Sequence, residues 1–459
     1  MPTRRTFLEY AAGASVAVAT PLHSLLAREI NSIRRSDGYG PLQAATDATT
    51  GLPLIALPPE FRYLTYSWSG EPMSDGIPTP VRHDGMAVIN NRDGILTLVR
   101  NHEGVTDLGA FADQCPVYDP AAGGGTTTLQ FDSVNGRFIS AKASLAGTMG
   151  NCCGGPTPWG TWLSCEEIVA DPESRIEENG VSRNAHLHYQ HGYVFEVGGD
   201  QPQATPLKDM GCFAHEAVAV DPLSGCVYET EDRHPEAGFY RFIPKQRGRL
   251  QAGGKLQMMV VRNREQMHTD VPLDQPLDVE WVDIAEPQRA HSPGQRDSAG
   301  VFDQGRRLGG TPFRRLEGCW HADGQIYFTS TSGGNAELGQ VYAFDIQRQT
   351  VRLIFESPSR EVLDYPDNLT VSPRGGIILC EDGDREGQML IALTPSGQIF
   401  PFARNQVVLS GSPHGLEGDY RGSEWCGACF SPDGEWLFVN LQKPGITFAI
   451  TGPWRQGLV

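Results

Sequence analysis

One module recurs along the chain and restricts the folds open to it. A turn that contains glycine, most often Asp-Gly, precedes a short apolar segment that ends in polar and mostly acidic residues. Asp-Gly supplies the positive φ that a tight hairpin needs, and the β-branched and aromatic residues after it favour strands. The modules end near positions 103, 167, 232, 330, 382 and 440. Repetition at roughly blade spacing predicts an all-β fold, a six-bladed β-propeller with long inserted loops. A β-sandwich would leave unexplained why the same end of each strand carries acids.

The first 27 residues have the features of an export signal. Arg4-Arg5 precedes Phe7-Leu8 and a mildly apolar run rich in alanine and glycine. This pattern predicts a twin-arginine signal peptide over residues 1–27, recognised by the twin-arginine translocase, and a periplasmic or secreted protein. No apolar stretch long enough to span a membrane follows, so we expect no span in the mature form. The propeller domain is predicted over residues 40–455, with a polar insertion at about residues 266–310.

The formal net charge of −18 limits the partners of the chain. Such a surface repels nucleic acid and anionic lipid, so we expect neither to bind. We expect a monomer. If the substrate is a phosphate ester, bound cations must make the electrostatic potential at the site positive.

The pair Cys426-Gly-Ala-Cys429 lacks the second pair of a zinc site and the helix start of a redox site.

A second set of polar residues precedes the strand ends at a nearly constant distance. Cys152, Glu216, Glu317, Asp367 and Glu424 stand 14, 15, 13, 14 and 16 residues before Glu166, Glu231, Ser330, Glu381 and Asn440. Inner strands of a propeller run along its central channel, so equivalent positions converge on the axis. The pattern therefore predicts a ring of carboxylates that includes one cysteine. Ca²⁺ takes about six to eight oxygen ligands, and a thiolate among them indicates an additional transition metal.

Several segments resemble the PhoX family of alkaline phosphatases. The longest is G-N-C-C-G-G-P-T-P-W-G-T-W-L-S-C-E-E at residues 150–167, and the others are His215–Pro222, Arg315–Gly318, Asp367–Leu369 and Ser431–Gly434. The resemblance covers roughly residues 60–450. It implies a six-bladed propeller whose channel holds Fe³⁺ and Ca²⁺ ions, with a cysteine that bridges the irons and an arginine that holds phosphate.

The resemblance also implies residue roles. Cys152, Arg315 and Glu317 would be catalytic, with Cys152 as the bridging thiolate, Arg315 on the phosphate and Glu317 on a metal. Of the adjacent cysteines, Cys153 would pack into the blade, because neighbouring side chains of an extended segment point to opposite sides. The metal ligands would be Cys152, Glu166, Glu167, Glu216, Glu231, Asp232, Glu317, Asp367, Glu381 and Asp382.

The function implied is that of a phosphoric monoester hydrolase acting on small-molecule phosphate esters with a metal-activated oxygen nucleophile in the channel. The sequence contains no G-x-S-x-G elbow, H-E-x-x-H zinc motif or P-loop. Two alternatives remain open: a calcium-dependent propeller lactonase or esterase, which would not need Cys152, and a metal-binding propeller without turnover.

Overall fold

The computed structural model describes residues 34–459 except 105–108, 174–176, 179–180, 183, 185, 199–202 and 412–413. The signal peptide predicted over residues 1–27 lies outside the described residues. Within the described part, no helix is both long and apolar enough to cross a membrane.

Short strands make up most of the regular structure. Those of the first part of the chain are β1 (Arg34–Arg35), β2 (Gln43–Ala45), β3 (Ile55–Leu57), β4 (Arg62–Tyr66), β5 (His83–Arg92), β6 (Ile95–His102), β7 (Gly124–Asp132), β8 (Arg137–Thr148), β9 (Asn151–Pro156) and β10 (Trp162–Glu166). Those of the middle part are β11 (Glu177–Glu178), β12 (Val181–Ser182), β13 (Val194–Val197), β14 (His215–Val220), β15 (Val227–Glu231), β16 (Phe239–Pro244), β17 (Gly254–Val261), β18 (Leu277–Asp283), β19 (Leu316–Ala322) and β20 (Gln325–Ser330).

The last part of the chain adds β21 (Gln340–Asp345), β22 (Thr350–Glu356), β23 (Pro366–Val371), β24 (Ile377–Glu381), β25 (Met389–Leu393), β26 (Gln398–Asn405), β27 (Val408–Ser410), β28 (Glu417–Asp419), β29 (Trp425–Phe430), β30 (Leu437–Leu441) and β31 (Ile446–Thr451). The helices of the described residues are α1 (Gly300–Arg307) and the 3₁₀ turns η1 (Lys208–Met210) and η2 (Leu250–Ala252).

The strands form an all-β, propeller-like arrangement, as the sequence predicts. Four sheets resemble blades, with the strand orders β5-β6-β7-β8, β13-β10-β9, β29-β30-β31-β4 and β2-β3-β26-β25-β24-β23, the last also carrying β1 on β26. The innermost strands β5, β9, β14, β19, β23 and β29 contact one another in that order, and β29 contacts β5. They enclose the space that we call the channel.

The remaining large sheet differs from the expectation of six separate blades. It has nine strands in the order β14-β15-β16-β17-β18-β22-β21-β20-β19. The join lies at β18, which extends the β14–β17 half and pairs through Leu277 and Asp278 with β22 of the other half. The segment 266–310, predicted as a polar insertion, supplies both β18 and α1. Val301 and Phe302 of α1 pack in one apolar cluster with Met258 of β17.

Pairing between distant parts of the chain closes the ring. β4 forms an antiparallel pair with β31, from Thr447 opposite Tyr66 to Thr451 opposite Arg62. Apolar side chains fill the spaces between neighbouring sheets. Phe131 of β7 meets Phe438 of β30 edge to face, with ring centroids 4.9 Å apart.

Adjacent inner strands approach too closely for a side chain at Gly155 of β9. A Cβ there would lie 1.9 Å from the Val218 carbonyl oxygen of β14. We therefore expect Gly155→Ala to lower the free energy of unfolding by about 1–3 kcal/mol or more, because the strands must move apart. Gly422 is the control, since a Cβ at that position meets nothing within 4 Å. Gly422→Ala should change stability by less than about 0.5 kcal/mol. Urea unfolding of both variants measures the difference, and equal stabilities would contradict this account of the packing.

Candidate metal centre

A β-bulge at the start of each inner strand sets the direction of the side chains that follow. In β14, the step from His215 to Val218 opposes the shorter step from Glu231 to Glu229 in β15, so the inner strand holds one extra residue. The same irregularity occurs in β5, β9, β19, β23 and β29. Bulges re-aim side chains and are common beside active sites.

One channel position recurs directly after the paired residue that opens each bulge. It is occupied by Asp84, Cys152, Glu216, Glu317 and Asp367, and in β29 by Gly427. A second set of acids follows the last residue of the neighbouring strands β6, β10, β15 and β24: Glu103, Glu167, Asp232 and Asp382. Glu424 stands directly before β29.

These side chains form four overlapping groups in which the possible ligand atoms lie within 4.8 Å of one another. The groups are Cys152–Glu167–Glu216, Glu216–Glu317–Asp367, Asp367–Asp382–Glu424 and Asp84–Glu424–Cys426. Glu216, Asp367 and Glu424 each belong to two groups, so the groups form one continuous row. Shared carboxylates are suited to bridging neighbouring cations.

The electrostatics of this row favour bound cations. Glu216 is fully buried, and neither of its carboxylate oxygens has a hydrogen-bond partner. Burial, followed by the charges of Glu167 and Asp367, raises the pKa of Glu216 well above its usual range. Burial and neighbouring carboxylates likewise raise the pKa of Glu317 and Asp367. Like charges held this close in a buried site need compensation, and hard oxygen donors suit Ca²⁺.

The two adjacent cysteines have different surroundings. Cys152 Sγ lies among the carboxylates of Glu167 and Glu216. Cys153 packs in an apolar cluster with Ala217 and Leu316, and its sulfur accepts a hydrogen bond from Asn368 Nδ2 at 2.8 Å. Of these two thiols, only that of Cys152 belongs to a group that could hold a metal ion.

The positively charged guanidinium of Arg315 lies at the edge of the row. Its Nη2 lies 2.6 Å from Glu317 Oε1, and its Nε and Nη2 donate to the two carboxylate oxygens of Asp232 at 3.1 and 3.0 Å. The charge of Glu317 raises the pKa of Arg315. Its backbone has a φ of 42°, a left-handed conformation that is uncommon for residues other than glycine and often occurs at functional sites. The side chain is 31% exposed, so the guanidinium is accessible from solvent.

Four of the predicted metal ligands, Glu166, Glu231, Asp232 and Glu381, lie outside this row, and Asp232 instead binds Arg315. Glu166, Glu231 and Glu381 are the last residues of β10, β15 and β24, and each binds backbone groups away from the channel. Glu231 accepts from the Gly238 amide and the Tyr240 hydroxyl, each at 2.8 Å. Glu381 accepts from the Asp364 and Met389 amides. Successive residues of a strand point to opposite faces, so of each acidic pair only the second member reaches the channel side.

Glu166 belongs instead to a buried ion cluster. It accepts hydrogen bonds from the amides of Met149, Gly192 and Tyr193, and His191 Nδ1 lies 2.6 Å from its Oε1. The other ring nitrogen of His191 lies 3.5 Å from Asp119. The cluster fastens the end of β10, from which Glu167 extends towards the channel.

The structure also brings in residues that the sequence pattern does not assign as ligands. Asp84 stands 18 residues before His102, outside the 13–16-residue separation, because the β5–β6 hairpin is longer than its counterparts. Glu424 fits the spacing and Glu103 marks a strand end, so both could have been assigned from register alone. Cys426 was recognisable only as half of a C-x-x-C pair.

The family model described as alkaline phosphatase PhoX matches residues 37–445. No curated protein matches the chain. Among solved structures, similarity extends to a protein assigned as a gluconolactonase, with 11% identity, a TM-score of 0.38 and coverage of 90% of this chain and 99% of that one. An oligogalacturonate lyase in complex with manganese has 11% identity and a TM-score of 0.36, covering 90% of this chain and 96% of that one. At these TM-scores the likenesses carry no functional argument.

The cluster around Glu166 predicts a pH-dependent stability. Although burial opposes the charge, Glu166 and Asp119 raise the pKa of His191 from 6.5 to about 9. A raised pKa in the folded state stabilises the fold fully below the unfolded value of 6.5, and this contribution is lost as the pH rises through about 9. Below pH 6.5, we expect His191→Gln to lower the free energy of unfolding by at most on the order of 3 kcal/mol. Above pH about 9 the loss should be much smaller. Urea unfolding of both proteins across the range measures the difference, and a pH-independent cost would contradict the prediction.

Proposed function

The chain belongs to the PhoX family of alkaline phosphatases, and from this premise we propose that it hydrolyses phosphate monoesters in the channel with bound Ca²⁺ and Fe³⁺. The observation that carries the proposal is the buried carboxylate of Glu216. Its two unpartnered oxygens lie between a thiol, Cys152, and further carboxylates, Glu317 and Asp367. A site with this donor set suits cations, and clustered cations suit an anionic substrate.

The donor chemistry supports a division between the metals. We assign Fe³⁺ to the end of the row that contains Cys152, with Cys152, Glu167, Glu216 and Glu317 as its ligands. We assign Ca²⁺ to the all-oxygen group of Asp367, Asp382 and Glu424. A thiolate favours a transition metal, whereas Ca²⁺ takes oxygen ligands. Asp232 is placed to hold Arg315 rather than a metal in this arrangement.

Arg315 is the residue that we propose binds the phosphoryl group. Asp232 holds the guanidinium through Nε and Nη2, and Nη1 is the group that we propose donates to the phosphoryl oxygens. The partial exposure of the side chain allows a substrate to reach it. Asp232 and Glu317 orient the guanidinium before the substrate arrives, so little reorganisation is needed during the reaction.

When bound, the cations would offset negative charge that develops on the phosphoryl oxygens and would make water a better nucleophile. The protein residues hold these charges in place and exclude bulk solvent. Glu216 and Asp367 are each shared by two groups, so both can fix the spacing of neighbouring ions. The buried position of the row strengthens every interaction within it.

We further propose that the nine-stranded sheet is two fused blades, which makes the fold six-bladed. Its halves begin at the inner strands β14 and β19, and each of these strands carries the bulge found in the other inner strands. The contact of β18 with β22 then joins two blades at their outer edges. The inner ends of the two halves still occupy separate positions around the channel.

Export by the twin-arginine route is part of the same proposal, since that route carries folded proteins and the metals could be loaded beforehand. Arg4→Lys/Arg5→Lys should keep the protein in the cytoplasm. Cell fractionation of the double variant and the unaltered chain tests this expectation. Normal export of the double variant would contradict it.

The adjacent cysteines provide the sharpest test of the phosphatase proposal. Cys152→Ala should lose most of its iron and lower the turnover of a generic phosphomonoester by about 100-fold or more, because a metal ligand is removed. Cys153→Ala is the matched control. It should keep its iron and most of its activity, with only a modest packing defect.

Metal analysis and turnover should be measured on both variants and on the unaltered protein. Full iron content and activity in Cys152→Ala would contradict the role of its thiolate. Hydrolysis of a lactone without phosphomonoester turnover would favour a calcium-dependent lactonase. A fully metal-loaded protein that turns over neither substrate would favour a binding protein.

A further inference from the structure

The sixth inner strand lacks a ligand at the shared channel position. Gly427 takes this position in β29 with a φ of 60°, and a Cβ there would lie 2.4 Å from the Asp84 carbonyl oxygen. Glu424 and Cys426 precede Gly427 in the chain, and their possible ligand atoms lie close to Asp84. They are two residues apart in an extended segment, so they project from the same side.

Cys426 thereby joins a group separate from that of Cys152. Its sulfur, a carboxylate oxygen of Glu424 and a carboxylate oxygen of Asp84 lie within 4.8 Å of one another. Ligand–metal bonds of about 2.0–2.3 Å span such a group after small side-chain shifts. Cys426 is 1% exposed, and its thiol donates a hydrogen bond of 3.0 Å to the His83 carbonyl oxygen.

A second observation indicates a cation at this place. Asp84 is 2% exposed, and its Oδ2 has no hydrogen-bond partner. A buried carboxylate oxygen without a partner is costly unless a cation or a donor satisfies it. Asp84 projects into the channel from β5, the strand that contacts β29.

We propose that Asp84, Glu424 and Cys426 form a further metal site, which takes a divalent transition-metal ion such as Zn²⁺, Co²⁺ or Fe²⁺. Ca²⁺ takes oxygen ligands, whereas a thiolate beside carboxylates suits ions of this softer class. On binding, the thiol proton leaves to water, a sulfur–metal bond forms and the hydrogen bond to His83 is lost. The site goes beyond the proposed phosphatase function and shares only Glu424 with the group that we assign to Ca²⁺.

Cobalt absorption tests this site without an activity assay. The protein is stripped of transition metals and kept in Ca²⁺ to support the fold, then titrated with Co²⁺ alone. A sulfur-to-cobalt charge-transfer band reports only thiolate ligands. We expect Cys152→Ser to retain such a band and Cys152→Ser/Cys426→Ser to lose it. Serine can still donate to the His83 carbonyl, so Cys426→Ser separates a metal role from a hydrogen-bonding role.

Cys429 is the matched control, because it is also 1% exposed but packs in an apolar cluster with Phe438. Cys152→Ser/Cys429→Ala should keep the band. Asp84→Asn in the Cys152→Ser background leaves Cys426 intact, and it should weaken Co²⁺ binding by about tenfold or more. Far-ultraviolet circular dichroism checks that each variant is folded. Loss of the whole band in Cys152→Ser, or its persistence in Cys152→Ser/Cys426→Ser, would overturn the proposal.

Discussion

Mutual repulsion among buried carboxylates is the constraint on which the arrangement of the channel depends. The inner strands converge, and four of the six carry an acid at the shared channel position. Burial and neighbouring charge together raise the pKa values of Glu216, Glu317 and Asp367. An arrangement of this kind is stable only if protons or cations compensate it, so the fold and its ions are energetically coupled. Arg315 supplies part of that compensation at the accessible edge.

The two consecutive acids at the ends of β10, β15 and β24 have different roles. The first member, as in Glu166, Glu231 and Glu381, satisfies backbone amides and fastens a strand end or loop. The second member, as in Glu167 and Asp382, joins the clustered acids. Alternation along a strand separates the two tasks within a single dipeptide. The rigidity of each channel carboxylate thus depends on a neighbour that faces the other way.

The register of the modules was sufficient to predict the all-β, propeller-like fold and the meeting of Cys152, Glu216, Glu317 and Asp367. It failed for Glu166, Glu231 and Glu381, since local sequence does not show which member of an acidic pair points inward. Asp84 does not fit the 13–16-residue separation because the β5–β6 hairpin is longer than its counterparts. The nine-stranded sheet depends on the pairing of Leu277 and Asp278 with β22, a long-range contact without a local signal. Cys426 illustrates the same limit, because only the structure shows that it lies beside Asp84 and Glu424.

The pairing of β4 with β31 imposes an order on the formation of the molecule. Ribosomes deliver β4 early, yet its hydrogen-bonding partner β31 emerges only after all the intervening sheets. Until then the edge of β4 is open and the circle of sheets cannot shut, so assembly of the channel is a late event. Contacts between such distant segments slow folding, and an exposed strand edge can pair with other chains in the meantime. The nascent chain therefore passes through a period of aggregation risk that ends only when β4 and β31 meet.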